Sequence, residues 1–250
     1  MHDVLRLLER DDYAFLIGLL DSSFNATDSA KLRRLLADLE TQDSADARAV
    51  LNRQLERELR YVGSSEVFYW GRYLSGQEPG VPFEEIIHDV AKALKVEVPR
   101  LGSHREQLET LVAEYATQQF SQMTPVEQQR LLEQLGVEQD KAAAFVKRSA
   151  GVFAVPMLIT AFNLVVVEGL IKTIIFGTIA KLIGTRLAQQ ILVFVAGRVP
   201  WWVQWVGPVA WSLSLGWTAI DLQGPAMRKT IPAVLYLGVC SLRARNGGQA

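Results

Sequence analysis

The sequence predicts an all-α protein, a multi-helix bundle with an acidic polar first part and a strongly apolar C-terminal helical part. Three observations carry that expectation. Apolar residues recur at three- and four-residue steps through the first 148 positions, Ser/Thr-x-x-Glu start signals precede two of these stretches, and strand-like alternation is hard to find. The valines and isoleucines lie mostly inside long runs of the kind that buried helices show.

Taken in order, Leu5, Leu8, Phe15, Leu16, Leu19 and Leu20 fall at roughly helical spacing, with Asp11 and Asp12 placed to start a second short helix. In "SADARAVLNRQLERELRYVG", Val50, Leu51, Gln54, Leu55, Glu58, Leu59 and Val62 share one face of an amphipathic helix that Gly63 ends. After a Gly/Pro-rich loop, Pro82 sits where a first helical residue is tolerated, ahead of Ile86, Ile87, Val90, Ala91 and Leu94. Ser103 with Glu106 forms a capping box, Thr124 with Pro125 and Glu127 forms another, and Gly136 marks the end of the helix that follows. Three segments result: a short helical N-terminal module at 1–43, a helical domain at 44–148 and an apolar, membrane-prone helical region at 149–250.

Charge separates the last segment from the others. Residues 1–148 hold 18 Lys/Arg and 25 Asp/Glu, whereas residues 149–250 hold 8 and 2. A charge-poor but positive segment suits an anionic lipid surface, and a buried domain with few surface positions gives the same composition. Nucleic acid is not indicated, because the basic residues of the second part are scattered among aliphatic ones and form no polar basic face.

Residues 149–167 are a 19-residue uncharged run and residues 199–220 one of 22, against the roughly 20 that a spanning helix needs. Between them, Glu168, Lys172, Lys181, Arg186 and Arg198 are too many charges for a comfortable span. Thr178, Lys181, Thr185 and Gln189 recur on one face there, and Ala180, Gly184 and Ala188 make a small-xxx-small row that permits close helix approach in a membrane or in a tight soluble core. If 149–167 spanned outward from the cytoplasm, four basic residues would lie outside, against the positive-inside tendency. A hairpin lying at the membrane face or inserting conditionally fits better than two fixed spans.

Trp201, Trp202, Trp205, Trp211 and Trp217 follow Arg198 and Pro200 and precede Asp221, as interfacial aromatics flanking an apolar helix do. Two other readings stay open for them, as core residues or as a stacking platform for a ligand. Lys181, Arg186, Arg198, Arg228 and Lys229 are candidate headgroup contacts. The run of 13 uncharged residues between Lys229 and Arg243 is too short to span, and reads as a packed terminal helix broken near Pro232.

Catalytic chemistry finds no carrier. Cys240 is the single cysteine, which excludes an intramolecular disulfide and a cysteine-based zinc cluster, and reads as a small apolar filler. Glu85 and His88 make one Glu-x-x-His, a fragment of a di-iron site that requires two copies. Phosphate-loop, zincin and Gly-x-Ser-x-Gly patterns are absent from the sequence. The opening residues carry Asp3, Glu9, Asp11 and Asp12 and do not form a secretory signal peptide.

Three stretches together resemble the uncharacterised bacterial YaaW family, whose members combine a short helical N-terminal module with a region similar to the ubiquinol-cytochrome c chaperone domain. They are "ELRYVGSSEVFYWGRYLSG", "EEIIHDVAKALKV" and "GPAMRKTIPAVLYLGVCSLRAR". Where the family pattern reads Tyr-Arg ahead of the second helix, this chain has Phe83 and Glu84, and it has Met227 and Arg228 ahead of "TIPAV". The resemblance implies a helical fold and brings no catalytic residue.

The leading expectation is a non-enzymatic, helical, membrane-associated protein without cofactor or metal, cytoplasmic and peripheral or conditionally inserted at the inner membrane, with membrane lipid as its partner. Bilayer perturbation is its strongest form. The alternative is a soluble assembly factor or adaptor that binds a protein partner.

Overall fold

A computed structural model describes residues 1–20, 26–62, 80–149, 153–194, 200–202, 205 and 227–247. Among them the backbone forms eleven helices and no strand. They are α1 (His2–Leu5), α2 (Arg10–Leu20), α3 (Ala26–Thr41), α4 (Ala45–Val62), α5 (Phe83–Leu94), α6 (His104–Gln122), α7 (Pro125–Gln134), α8 (Gln139–Ser149), α9 (Val155–Ala161), α10 (Leu164–Phe194) and α11 (Met227–Gly247).

The start signals act as their chemistry demands. Ser103 Oγ accepts from the Glu106 amide while Glu106 accepts from the Ser103 amide, and Thr124 and Glu127 repeat the exchange ahead of Pro125. Each box satisfies two amides that the first turn would otherwise leave without partners. Pro82 proves to be the N-cap of α5, one position earlier than expected, and α5 closes on Lys95 with a positive φ of 58°. Gly136 follows α7 at φ 87°, a backbone that a side chain would strain. Gly63, the expected stop of α4, lies outside the described residues.

α11 is the axis around which the others gather. Residues 230–242 are buried on every face of this helix, and α2, α4, α5, α6 and α10 all pack on it. Its approach to α6 is close because Gly238 has no side chain. A methyl there would lie 2.9 Å from the Leu108 carbonyl oxygen and collide with Val112 Cγ1. The helix also runs through Pro232 instead of breaking near it. Pro232 cannot donate to the Arg228 carbonyl one turn before it, and Arg228 is an exposed residue in the first turn of the helix.

Two more expectations for the apolar region are corrected. The uncharged run 149–167 is not one helix: it is divided among the end of α8, the seven-residue α9 and the start of α10, with Phe162 at φ −121°, ψ −107° closing α9. The row Ala180, Gly184, Ala188 is interrupted at its middle member, since Gly184 takes φ 70°, ψ 170° and kinks α10. A Cβ added there would touch nothing among the described residues, whereas Ala180 is buried.

One contiguous cluster of buried side chains runs from Val4 and Leu5 through Leu55, Ile87, Leu108, Phe145 and Ile174 to Leu242. Residues of all three sequence segments therefore share a core. None of the described helices is long and apolar enough to cross a membrane.

Candidate functional site

The most elaborate polar arrangement in the interior centres on Asp12, at the third position of α2. Its Oδ2 accepts from the Glu9 amide at 2.7 Å, a cap that fixes the helix start, and from Arg243 Nη2 at 2.6 Å. Oδ1 accepts from Tyr236 Oη at 2.8 Å, Trp201 Nε1 at 3.0 Å and Arg243 Nη1 at 3.4 Å. The guanidinium also stacks over the Trp201 ring, 4.5 Å from its centroid. Residues from α2, from α11 and from the 200–202 segment are thereby tied to one fully buried carboxylate.

Electrostatics follow from enclosure. Burial foremost, and the Asp12 charge next, push the Tyr236 phenol and the Cys240 thiol well above their ordinary values. Burial alone would pull the Arg243 guanidinium down, but the adjoining carboxylate, with help from Glu9, raises it. Phe15 stacks on Tyr236 at 4.0 Å between centroids and meets Trp202 edge-on at 5.0 Å, covering the Tyr236 side of the group. Both oxygens of Asp12 are occupied by donors, so the arrangement holds three parts of the chain together.

Two of the charges that made 168–198 look unsuited to burial neutralise each other. Glu168 and Lys172, one turn apart on α10, form an ion pair, and the Lys172 ammonium lies 5.6 and 5.5 Å from the ring centroids of Trp201 and Trp205. Thr178 faces inward and bonds to Tyr115 Oη of α6 at 3.2 Å. Lys181 is partly covered, and burial lowers its pKa.

Of the tryptophans proposed for a lipid interface, Trp202 is 1% exposed and Trp201 is bonded to Asp12. A contact between either one and lipid would require them to leave the core. Trp211, Trp217 and Arg198 lie outside the described residues, as do the side chains of Arg186 and Ala188. Arg228 is exposed, whereas Lys229 is half-buried and donates to the Leu20 carbonyl at 3.2 Å. Glu85 and His88 stand on α5, where the Glu84 carboxylate is 4.0 Å from His88 Nε2; among the described residues no group of three metal-ligating side chains forms.

The surface carries a feature of a different kind at the α8–α9–α10 corner. Between Ala154 and Val165 the chain has no charge, yet only Leu158 in that stretch is buried. Met157 is 43% exposed, Ile159 41%, Leu164 36% and Val165 78%. Local chemistry explains the shape: Pro156 stands in the first turn of α9, Phe162 ends it, and Asn163 Oδ1 accepts the Val166 amide at 2.9 Å to start α10. Phe120, Phe145, Phe153 and Phe162 pack edge-on or tilted beneath the corner and hold it out.

Two recesses flank the corner. One, of about 640 Å³, lies between Phe145, Arg148 and Ser149 of α8 and Pro156, Met157, Thr160 and Ala161 of α9. The other, of about 310 Å³, has Val155, Ile159 and Leu164 on one wall and Glu106, Glu109, Glu114 and Glu168 among its polar lining. Glu109 there is paired with Arg105 and Arg245, both at 2.9 Å, and Glu168 with Lys172, which offsets much of its negative charge.

Neither feature is legible in the sequence. Asp12 reads there only as a helix start, because its partners are about two hundred residues away. The exposure of 154–165 had no signal, since a stretch without polar residues does not mark which of its faces meets water.

Compared with known proteins, the chain is similar to a UPF0174 protein of Helicobacter pylori strain J99. The two are 23% identical over 252 residues, covering 99% of this chain and 92% of that protein. The likeness points to an uncharacterised bacterial family and supplies no activity. No family model matches the chain, and no solved structure matches it.

Proposed function

We propose that this is a non-enzymatic helical protein that works at a membrane surface, held there peripherally on the cytoplasmic side of the inner membrane. The observation that carries the reading is the uncharged, outward-facing corner from Ala154 to Val165. Single exposed aliphatic residues are ordinary, but a contiguous stretch of them marks an interaction surface. Covering Met157, Ile159, Leu164 and Val165 with lipid would contribute on the order of a few kcal/mol, which suits reversible attachment.

A second reading, an adaptor that binds a protein partner, has its own support in the carboxylate-lined recess beside Ile159 and Leu164, which would accept a lysine or arginine of a partner helix. The chaperone-like resemblance of the central region points the same way. Flotation of the purified protein with liposomes separates the two. Protein rising with vesicles supports the membrane reading, and protein left at the bottom with every lipid composition leaves the adaptor.

A further inference from the structure

We infer that the recess between α8 and α9 is a seat for the phosphate of an anionic phospholipid, with Arg148 as its cation and the aliphatic corner as the bed for the acyl chains. This rests on the membrane-surface reading and adds to it a lipid class and a contact residue. Arg148 lines a recess of about 640 Å³ whose other walls are the ring of Phe145 and the side chains of Pro156, Met157 and Ala161. A cation at the mouth of an apolar trough matches a molecule that is anionic at one end and hydrocarbon at the other.

Lys147 and Arg148 are both exposed, and neither has a carboxylate partner among the described residues. Their place in the last turn of α8 suits the negative end of that helix, which accounts for their sign but not for the trough beside them. The Ser149 hydroxyl in this recess is turned back onto the carbonyls of Phe145 and Val146 at 2.8 and 3.2 Å. Thr160 is likewise engaged with the Pro156 carbonyl, which leaves the guanidinium, among the described residues, as the polar group available to a headgroup in this recess. The carboxylates Glu106, Glu109, Glu114 and Glu168 line the neighbouring cavity, where Glu109 and Glu168 are already paired with cations, whereas no carboxylate is among the described residues that line the recess of Arg148.

The test is flotation of the full chain with phosphatidylcholine vesicles and with phosphatidylcholine–phosphatidylglycerol vesicles, using wild type, Lys147→Gln, Arg148→Gln and Arg148→Lys. A nearby cation contributes about fivefold to partitioning onto an anionic surface, so both glutamine variants are expected to lose about that much. Arg148→Lys separates a site from a field: it keeps the charge but loses the planar fork, and a seat for phosphate loses several-fold while a diffuse field loses nothing. Equal binding of wild type to both vesicle types, or Arg148→Lys behaving as wild type, overturns this inference and leaves the membrane reading standing. Wild type floating with neither overturns both. Thermal denaturation with inorganic phosphate alone closes the remaining route: a rise in Tm that Arg148→Gln abolishes would assign the recess to free phosphate and overturn the lipid seat.

Discussion

Asp12 and Arg243, 231 positions apart in the chain, meet with 2.6 Å between Oδ2 and Nη2, and the carboxylate has no exposed surface. The pair joins α2 to α11 at a point where Tyr236 and Trp201 donate to the same carboxylate. Removing one member leaves the other's charge buried without its counterpart, which costs far more than removing both.

Arg243→Met is accordingly expected to lower the unfolding free energy by about 3–5 kcal/mol. The double variant Asp12→Asn with Arg243→Met should lose clearly less than the sum of the two single losses. Urea denaturation of the four proteins measures the coupling, and strict additivity would show that the two side chains act independently.

The close approach of α11 to α6 predicts that Gly238→Ala destabilises by about 1–3 kcal/mol, the ordinary cost of overpacking a core. Val112→Ala in the same chain should return part of the loss, because the methyl collides first with Val112. No recovery would place the strain on the Leu108 carbonyl instead.

Alkaline pH should weaken the fold from a known side. The Tyr236 phenol and Cys240 thiol have native pKa values raised well above their ordinary 10.0 and 9.0 by burial and by the Asp12 charge. Below about pH 9 both states keep these protons and nothing changes. Above it the unfolded chain releases protons that the native state retains, so stability falls as pH rises. Thermal melts from pH 7 to 11 check the direction, and Tyr236→Phe should flatten the part of the decline above pH 10.

At the exposed corner the expectation reverses, with binding altered and folding intact. Met157→Asp together with Val165→Asp touches side chains 43% and 78% exposed, so the melt should shift by about 0.5 kcal/mol or less. Flotation with anionic vesicles should fall about tenfold or more, since two charges must then be driven against hydrocarbon. Unchanged flotation would move the contact surface elsewhere on the molecule.

The sequence made legible whatever depends on near neighbours. Ser103 with Glu106 and Thr124 with Glu127 act within one turn, and both boxes form where their spacing placed them. The all-helical class follows from the same local rules. What escaped was set by distant partners: Lys172 looked like an awkward charge in an apolar helix until Glu168, Trp201 and Trp205 closed around it. Residues 149–167 passed a length test for spanning, yet Phe162 and the Asn163 cap divide them, because apolarity fixes neither helix length nor the outward face.

The position of α11 also bears on how the chain is made. A ribosome emits residues 1–226 before the helix on which α2, α4, α5, α6 and α10 converge, and at roughly 5–20 residues per second the wait between Asp12 and Arg243 is on the order of ten to fifty seconds. Throughout that interval the faces meant for Tyr236, Leu237 and Val239 have nothing to close on. Nascent chains of this protein are therefore expected to stay open to aggregation until α11 has emerged, and a stop codon ahead of Met227 should yield aggregate rather than a shorter bundle.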